Sequence, residues 1–103
     1  MAITSETQTM VQAYLDFLVV EKGLSSNSVE AYAADISRFL DFLDSRKIES
    51  FHPVDVTVIL AWLVHLNREG LASKSRARHL ITLRGLYRFL TAEKYVPVNP
   101  VKE

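Results

Sequence analysis

The residues best suited to chemistry with a partner are cations gathered in one segment. Residues 68–94 hold seven Lys/Arg against two Asp/Glu, a net charge of +5. Residues 1–67 hold four Lys/Arg against nine Asp/Glu, a net charge of −5. The whole chain is neutral, with 12 basic and 12 acidic residues. A neutral chain with its positive charge gathered in this way can still present a positive surface to an anionic partner.

The basic segment has two sides when it is placed on a helical wheel at about 100° per residue. The apolar side, expected to face inward, consists of Ala77, Leu80, Leu83, Leu86, Tyr87 and Leu90. Near the opposite side lie Lys74, Ser75, Arg78, Thr82, Gly85 and Arg88. The major groove of duplex DNA admits such a helix, and Lys or Arg can contact phosphates or guanine O6 and N7 there. The alternative is an ordinary solvated helix surface, where such residues are common.

Three polar residues of the basic segment have possible contacts other than DNA. Arg84 lies at the border of the apolar side, so an ion pair with an acidic neighbour is at least as well supported as a DNA contact. Arg76 projects toward the apolar side, where its aliphatic stem can cover apolar surface. His79 fits contact with DNA and contact with water equally well.

The chain offers no set of residues that could form an enzyme active site or a metal site. His52, His65 and His79 lie in three different segments, and no two are spaced four apart on one helix. His65 stands among apolar residues and is interpreted as a half-buried core histidine. The absence of cysteine removes disulfides and thiolate zinc sites, and three glycines form no phosphate-binding loop. We therefore expect no catalysis by this chain, no cofactor and no metal.

Length and composition indicate one soluble domain. A chain of 103 residues with 49% hydrophobic content can bury a core of its own. No apolar run approaches the roughly 20 residues that span a bilayer. The N-terminus also lacks the basic start and apolar stretch of a signal peptide. We expect a cytoplasmic protein without a membrane partner.

Four amphipathic segments predict four helices, because their apolar residues recur three and four positions apart. The segments span about residues 5–22, 25–46, 73–94 and, for the third, 55 or 57 to 69. Gly23 is expected to end the first in a left-handed conformation. The second starts at a cluster of good N-cap residues, Ser25-Ser26-Asn27-Ser28, with Glu30 three residues after Asn27 as in a capping box. The third has a β-branched start that could favour a strand, but its later residues and Gly70 favour a helix. The predicted fold is all-α, a compact four-helix bundle.

Two stretches of the chain resemble the sequence signatures of a known family. Leu24–Ile36 (LSSNSVEAYAADI) is similar to Leu-Ser-x-Asn-Thr-x-x-x-Tyr-x-x-Asp-Leu, and Leu71–Leu90 (LASKSRARHLITLRGLYRFL) to L-S-x-x-S-x-x-R-x-L-S-x-L-R-x-F-Y-x-F-L. Both signatures belong to tyrosine site-specific recombinases, especially the Xer group. Asn99-Pro100 matches the Asn-Pro that commonly closes the module before the catalytic domain. The spacing between these blocks is kept, so the resemblance covers nearly the whole chain.

The resemblance implies a SAM-like core-binding domain over residues 1–96 and the start of a linker over residues 97–103, with an absent C-terminal catalytic domain to follow. In this family the second and fourth helices of the domain contact the major groove and nearby phosphates. Carried over by position, the DNA-binding residues would be Asn27, Ser28, Arg38, Lys74, Ser75, Arg78 and Thr82. The family often has a basic residue where this chain has Ala33-Ala34, which reduces the phosphate contacts expected of the second helix.

The function implied by the resemblance is duplex DNA binding for site-specific recombination or integration, either in chromosome partition or at a mobile element. The partners would be double-stranded DNA and other recombinase protomers of the full-length protein. The family's nucleophilic tyrosine belongs to the catalytic domain, so none of the chain's four tyrosines is assigned that role. The alternative is a helical protein-interaction module without DNA binding, which would expose an apolar groove.

Overall fold

Four α-helices and no β-strand occur in residues 3–101, which are the residues that the computed structural model describes. The helices are α1 (Ser5–Val20), α2 (Ser26–Ser45), α3 (Val56–Arg68) and α4 (Ser73–Ala92). The all-α prediction is confirmed, and the third segment is a helix in spite of its β-branched start. None of the helices in this described part is both long and apolar enough to cross a membrane.

Side-chain caps fix the start of the first three helices. Thr4, Ser25 and Asp55 are the N-cap residues, and each side-chain oxygen accepts a hydrogen bond from the backbone N–H three residues later. The capping box predicted from Asn27 and Glu30 is wrong, because α2 begins one residue before Asn27. Several polar residues in a row could cap this helix, and Ser25 has the extended backbone (φ −68°, ψ 159°) that the cap requires.

Left-handed glycines follow the ends of α1 and α3. Gly23 and Gly70 have φ angles of +65° and +89°, a region that glycine enters without the steric cost of a Cβ. After Gly23 the chain turns back, and the Leu24 N–H donates to the Leu18 carbonyl at 3.0 Å. The prediction of a left-handed Gly23 is therefore confirmed.

The chain divides into two units, of which the first ends at Ser50 and the second starts at Phe51. In the first unit α1 packs on α2. The Thr4 N–H donates to the Glu49 carbonyl at 2.9 Å, which joins the start of this unit to its end. The buried apolar side chains of the first unit include Tyr14, Leu18, Ile36, Phe39, Phe42 and Leu43.

In the second unit α3 packs on α4. The Tyr87 hydroxyl donates to the Phe51 carbonyl at 3.1 Å, and the two rings meet edge to face with centroids 5.6 Å apart. Burial raises the pKa of the Tyr87 phenol, so the hydroxyl stays protonated as a donor. The large buried apolar side chains of this unit include Phe51, Trp62, Leu66, Leu83, Leu86 and Leu90.

The segment after α4 packs along the second unit as far as the last described residue. Val96 and Val101 are only 4% and 3% exposed. The Asn99 side chain accepts a hydrogen bond from the Val101 N–H at 2.9 Å, which closes a local turn. Residues 102–103, the remainder of the predicted linker, lie outside the described residues.

Shortening of a buried side chain on α4 tests the packing of the second unit. Leu86→Ala is expected to lower the free energy of unfolding by about 2–5 kcal/mol, because it removes fully buried methyl groups and leaves a cavity. The same change at Leu60, which is 57% exposed on α3, should cost less than about 0.5 kcal/mol. Urea denaturation followed by circular dichroism measures both. Equal losses in the two variants would contradict the assigned core of the second unit.

Candidate nucleic-acid interface

The exposed side of the N-terminal half of α4 consists of Lys74, Ala77, Arg78 and Ile81, which we call the α4 face. Spacings of three and four residues place these side chains on one side of a helix. Arg88 is also exposed and lies two turns further along. The α4 face therefore presents two long cations beside one small and one larger apolar side chain.

Charge on α4 is of one sign only. The helix from Ser73 to Ala92 carries five Lys/Arg and no Asp/Glu. Its N-cap residue, Ala72, makes no side-chain hydrogen bond to the first turn, unlike the N-cap residues of the other three helices. Unpaired N–H groups and the positive end of the helix dipole favour anions near a helix N-terminus. The dipole thus adds to the positive potential of Lys74 and Arg78.

Arg76 holds the connection between α3 and α4. Its Nη1 atom donates to the Asn67 side-chain oxygen at 3.1 Å and to the Leu71 carbonyl at 2.5 Å. These bonds join the last turn of α3, the loop and the first turn of α4. The Arg76 side chain points away from the α4 face, as the helical wheel predicts, and its role is to fix where α4 begins.

Behind the α4 face, aromatic rings connect α4 to α3. The buried His79 ring meets Trp62 edge-on, with centroids 6.0 Å apart. Trp62 in turn stacks on His65 at 5.6 Å, and the His65 side chain is 40% exposed, which confirms it as half-buried. The Arg78 Nη2 atom lies 3.3 Å from His79 Nε2. Because arginine can only donate, His79 Nε2 is the acceptor in this contact.

The buried strip of α4 is turned relative to the helical-wheel prediction. Thr82 and His79 are only 3% and 4% exposed, whereas Ala77 is exposed. The helical-wheel prediction is wrong for the orientation of Thr82 and Ala77, and the His79 side chain is buried rather than exposed at the surface. The helical wheel places His and Thr on the exposed side because both are polar. In the structure, however, the ring of His79 is buried against Trp62.

Arg84 is half-buried, at the border of the apolar side. Within residues 3–101 its Nε atom is buried and has no hydrogen-bond partner. The internal ion pair considered for Arg84 is therefore not made through that nitrogen.

Comparison with known proteins places the chain in a family. The model of the phage integrase N-terminal SAM-like domain matches residues 11–94, which include all of α4. The chain belongs to this family. A tyrosine recombinase XerD of Staphylococcus epidermidis is 38% identical over 92 residues, which are 89% of this chain and 31% of that protein. A tyrosine recombinase XerD of Staphylococcus aureus is 36% identical over 93 residues, covering 90% of this chain and 32% of that protein. This chain therefore spans about a third of the length of these curated relatives.

The α2 residues expected to contact DNA in this SAM-like domain lie apart from α4 in the sequence, in the first unit. Asn27 and Ser28 are exposed in the first turn of α2, and Arg38 is half-buried. The Ser28 hydroxyl accepts a hydrogen bond from the Ser25 hydroxyl at 3.2 Å, and the Ser28 N–H donates to the same Ser25 oxygen at 3.3 Å. Ser28 is thus part of the helix cap, which leaves Asn27 as the freer polar side chain.

The charge of α2 is opposite to that of α4. Arg38 is its only cation, against four carboxylates at Glu30, Asp35, Asp41 and Asp44. Glu30 and Asp41 are exposed, so they would repel a phosphate that approached them. Of the two SAM-like helices expected at DNA, α4 is the one whose charge suits a polyanion.

Sequence reasoning missed two members of the α4 face. Ala77 was placed on the inward side, and Ile81 was not singled out. The signal that identifies them is their spacing from Lys74, since positions three and seven residues later share its side of the helix. A prediction from hydrophobicity alone misses this spacing, because it places every apolar residue in the interior.

Removal of the Arg76 side chain tests its role in the SAM-like domain. Arg76→Ala is expected to lower the free energy of unfolding by about 1–2 kcal/mol, because two acceptors lose a charged donor. It should also speed amide hydrogen exchange from Leu71 to Ser75. Arg88→Ala, the same change at an exposed site on α4, should alter stability by no more than about 0.5 kcal/mol. Identical behaviour of the two variants would refute the role of Arg76 in holding the start of α4.

Proposed function

We propose that this chain binds duplex DNA as the core-binding domain of a tyrosine recombinase that acts in site-specific recombination. The observation that carries the proposal is the α4 face, with exposed Lys74 and Arg78 on a helix that has no acidic residue. The membership of the SAM-like family and the tyrosine recombinases among its relatives support the same conclusion.

The first half of α4 enters the major groove in this proposal. Lys74 and Arg78 contact phosphates or guanine edges, and the half-buried Ser75 adds a hydroxyl near the helix start. Arg76 fixes the position of that start through Asn67 and Leu71. Thr82 is left out of the contact set, because its side chain is buried.

The first unit makes a smaller contribution. Asn27, Ser28 and Arg38 are proposed as contacts from α2, by analogy with the family. The acidic residues of α2 and the Ala33-Ala34 pair limit the number of phosphates that this helix can neutralise. Most of the salt-dependent affinity should therefore come from α4.

Strand breakage and rejoining are assigned to a catalytic part of a longer recombinase, together with other protomers bound to the same DNA. The Tyr87 hydroxyl is already a buried donor to the Phe51 carbonyl, so it is unsuited to attack a phosphate. The role of this chain is to position the duplex, in chromosome partition or at a mobile element.

Charge reversal on the α4 face tests the proposal. Lys74→Glu and Arg78→Glu should each weaken binding to a 20-base-pair duplex about tenfold or more at low salt, because each loses a charged contact. Each should also reduce the slope of log affinity against log salt by about one. Both variants should retain the fold, because Lys74 lies in the first turn of α4, where a glutamate suits the helix dipole, and Arg78 is exposed. Fluorescence anisotropy at several salt concentrations measures both effects.

The control for this test is Lys94→Glu, an equal charge change at an exposed site beyond the end of α4. It should change affinity far less than the two face variants. Equal weakening in all three would mean that only net charge matters, and unchanged affinity in both face variants would remove α4 from the interface.

One observation favours a second function, a helical protein-interaction module. In the second unit, a groove of about 620 Å³ lies along α3 and the segment after α4. Its apolar lining includes Val56, Leu60, Leu63, Leu80 and Val98. If this were the function of the chain, the duplex would produce no anisotropy change at any salt concentration, whereas Leu60→Asp would abolish the association with its protein partner.

A further inference from the structure

Ile81 is a large apolar side chain on the most basic helix of the chain. It is 58% exposed, although it lies in the middle of α4. A single exposed isoleucine is common on protein surfaces and needs no explanation by itself. Its position is the informative feature, because Lys74, Ala77 and Arg78 share its side of the helix.

The neighbours of Ile81 favour DNA over an apolar protein surface as its partner. An apolar surface that covered Ile81 would also cover the cationic side chains of Lys74 and Arg78, and the removal of charged groups from water is costly. A DNA groove supplies phosphates for the cations at the same time as base edges for the side chains between them. Ile81 is also absent from the lining of the apolar groove along α3.

The chemistry of Ala77 and Ile81 restricts what they can recognise. Neither side chain can donate or accept a hydrogen bond, and the apolar group that bases display in the major groove is the C5-methyl of thymine. A cytosine N4 amine placed against Ile81 would lose water and gain no partner, which is unfavourable. Ala77 is small enough to let the helix backbone approach the base edges.

We propose that Ile81, with Ala77 beside it, selects thymine in the bound sequence through contact with the C5-methyl group. This inference rests on the proposed function and goes beyond it, because it assigns sequence preference to two residues that carry no charge. Lys74 and Arg78 supply affinity and register, and Ile81 supplies discrimination between thymine and the other bases.

Replacement of thymine by uracil tests the inference, since it removes only the C5-methyl group. Duplexes of 20 base pairs are first selected by the full chain from a randomised pool. Each thymine of the selected sequence is then replaced by uracil, one position at a time. At one or two positions the affinity of the unaltered chain should fall about fourfold, the effect of one buried methyl group.

Ile81→Ser provides the second half of the test, with Val64→Ser as the matched control. Val64 is a β-branched residue, 49% exposed on α3 and outside the α4 face. In Ile81→Ser the ratio of thymine to uracil affinities should approach one while the salt dependence is unchanged. In Val64→Ser the ratio should stay near fourfold. The uracil comparison with the unaltered chain does not depend on how either variant folds.

The outcomes separate this inference from the proposed function. Absence of binding to every duplex at low salt would overturn both. Salt-dependent binding with equal affinity for thymine and uracil at all positions would overturn the inference and leave DNA binding intact. A thymine preference that persists in full in Ile81→Ser would also overturn it, because the methyl contact would then belong to another residue.

Discussion

One helix, α4, must bury one strip of side chains and expose another within a period of about 3.6 residues. The strip from His79 to Leu90 is buried, while Lys74, Arg78 and Arg88 are exposed. Rotation of the helix about its axis would expose leucines and bury cations, and both changes are costly. The packing of the core therefore fixes the direction in which the cations point. The cations of the α4 face point outward because the opposite side of the same helix is part of the core.

The start of α4 is held by side-chain contacts rather than by a cap of its own. Ala72 offers no polar side chain, and Arg76 reaches back to Asn67 and Leu71 instead. This arrangement uses one cation of α4 for structure. It leaves the first-turn N–H groups without a side-chain cap, close to Lys74. The residues that fix the start of α4 thus also make the surface around that start positive.

Charge divides along the chain in the same way as the fold. Residues 1–50 carry four Lys/Arg against eight Asp/Glu, and residues 51–103 carry eight against four. The net charge is −4 in the first unit and +4 in the second, so the whole chain is neutral although its second unit is basic. For a polyanion, the second unit is attractive and the first is not. In the proposed function this division makes α4, rather than α2, the main DNA contact.

Local signals were sufficient for most of the fold. Apolar periodicity located all four helices, and Gly23 and Gly70 marked two of the ends, because these features depend only on nearby residues. The choice of Ser25 over Asn27 as the cap depends on backbone angles that several polar residues could adopt. The burial of Thr82 and His79 was not predictable from periodicity, because tertiary contacts decide it, such as that of His79 with Trp62.

The same reason explains what was missed at the site. Charge and spacing predicted that Lys74 and Arg78 lie on the exposed side of α4, which the structure shows. Ile81 is a typical core residue by type, and only the fold shows it exposed. The apolar groove along α3 likewise depends on Val98, which is distant from α3 in the sequence.

DNA binding through α4 is tested most directly by an NMR titration of the labelled chain with a short duplex at low and at moderate salt. If α4 is the main DNA contact, amide shift changes should be concentrated between Lys74 and Ile81, be smaller at Asn27 and Ser28, and be lost at both places at the higher salt. Shift changes confined to Val56–Val64 and Val98, or none at low salt in the folded protein, would contradict DNA binding through α4.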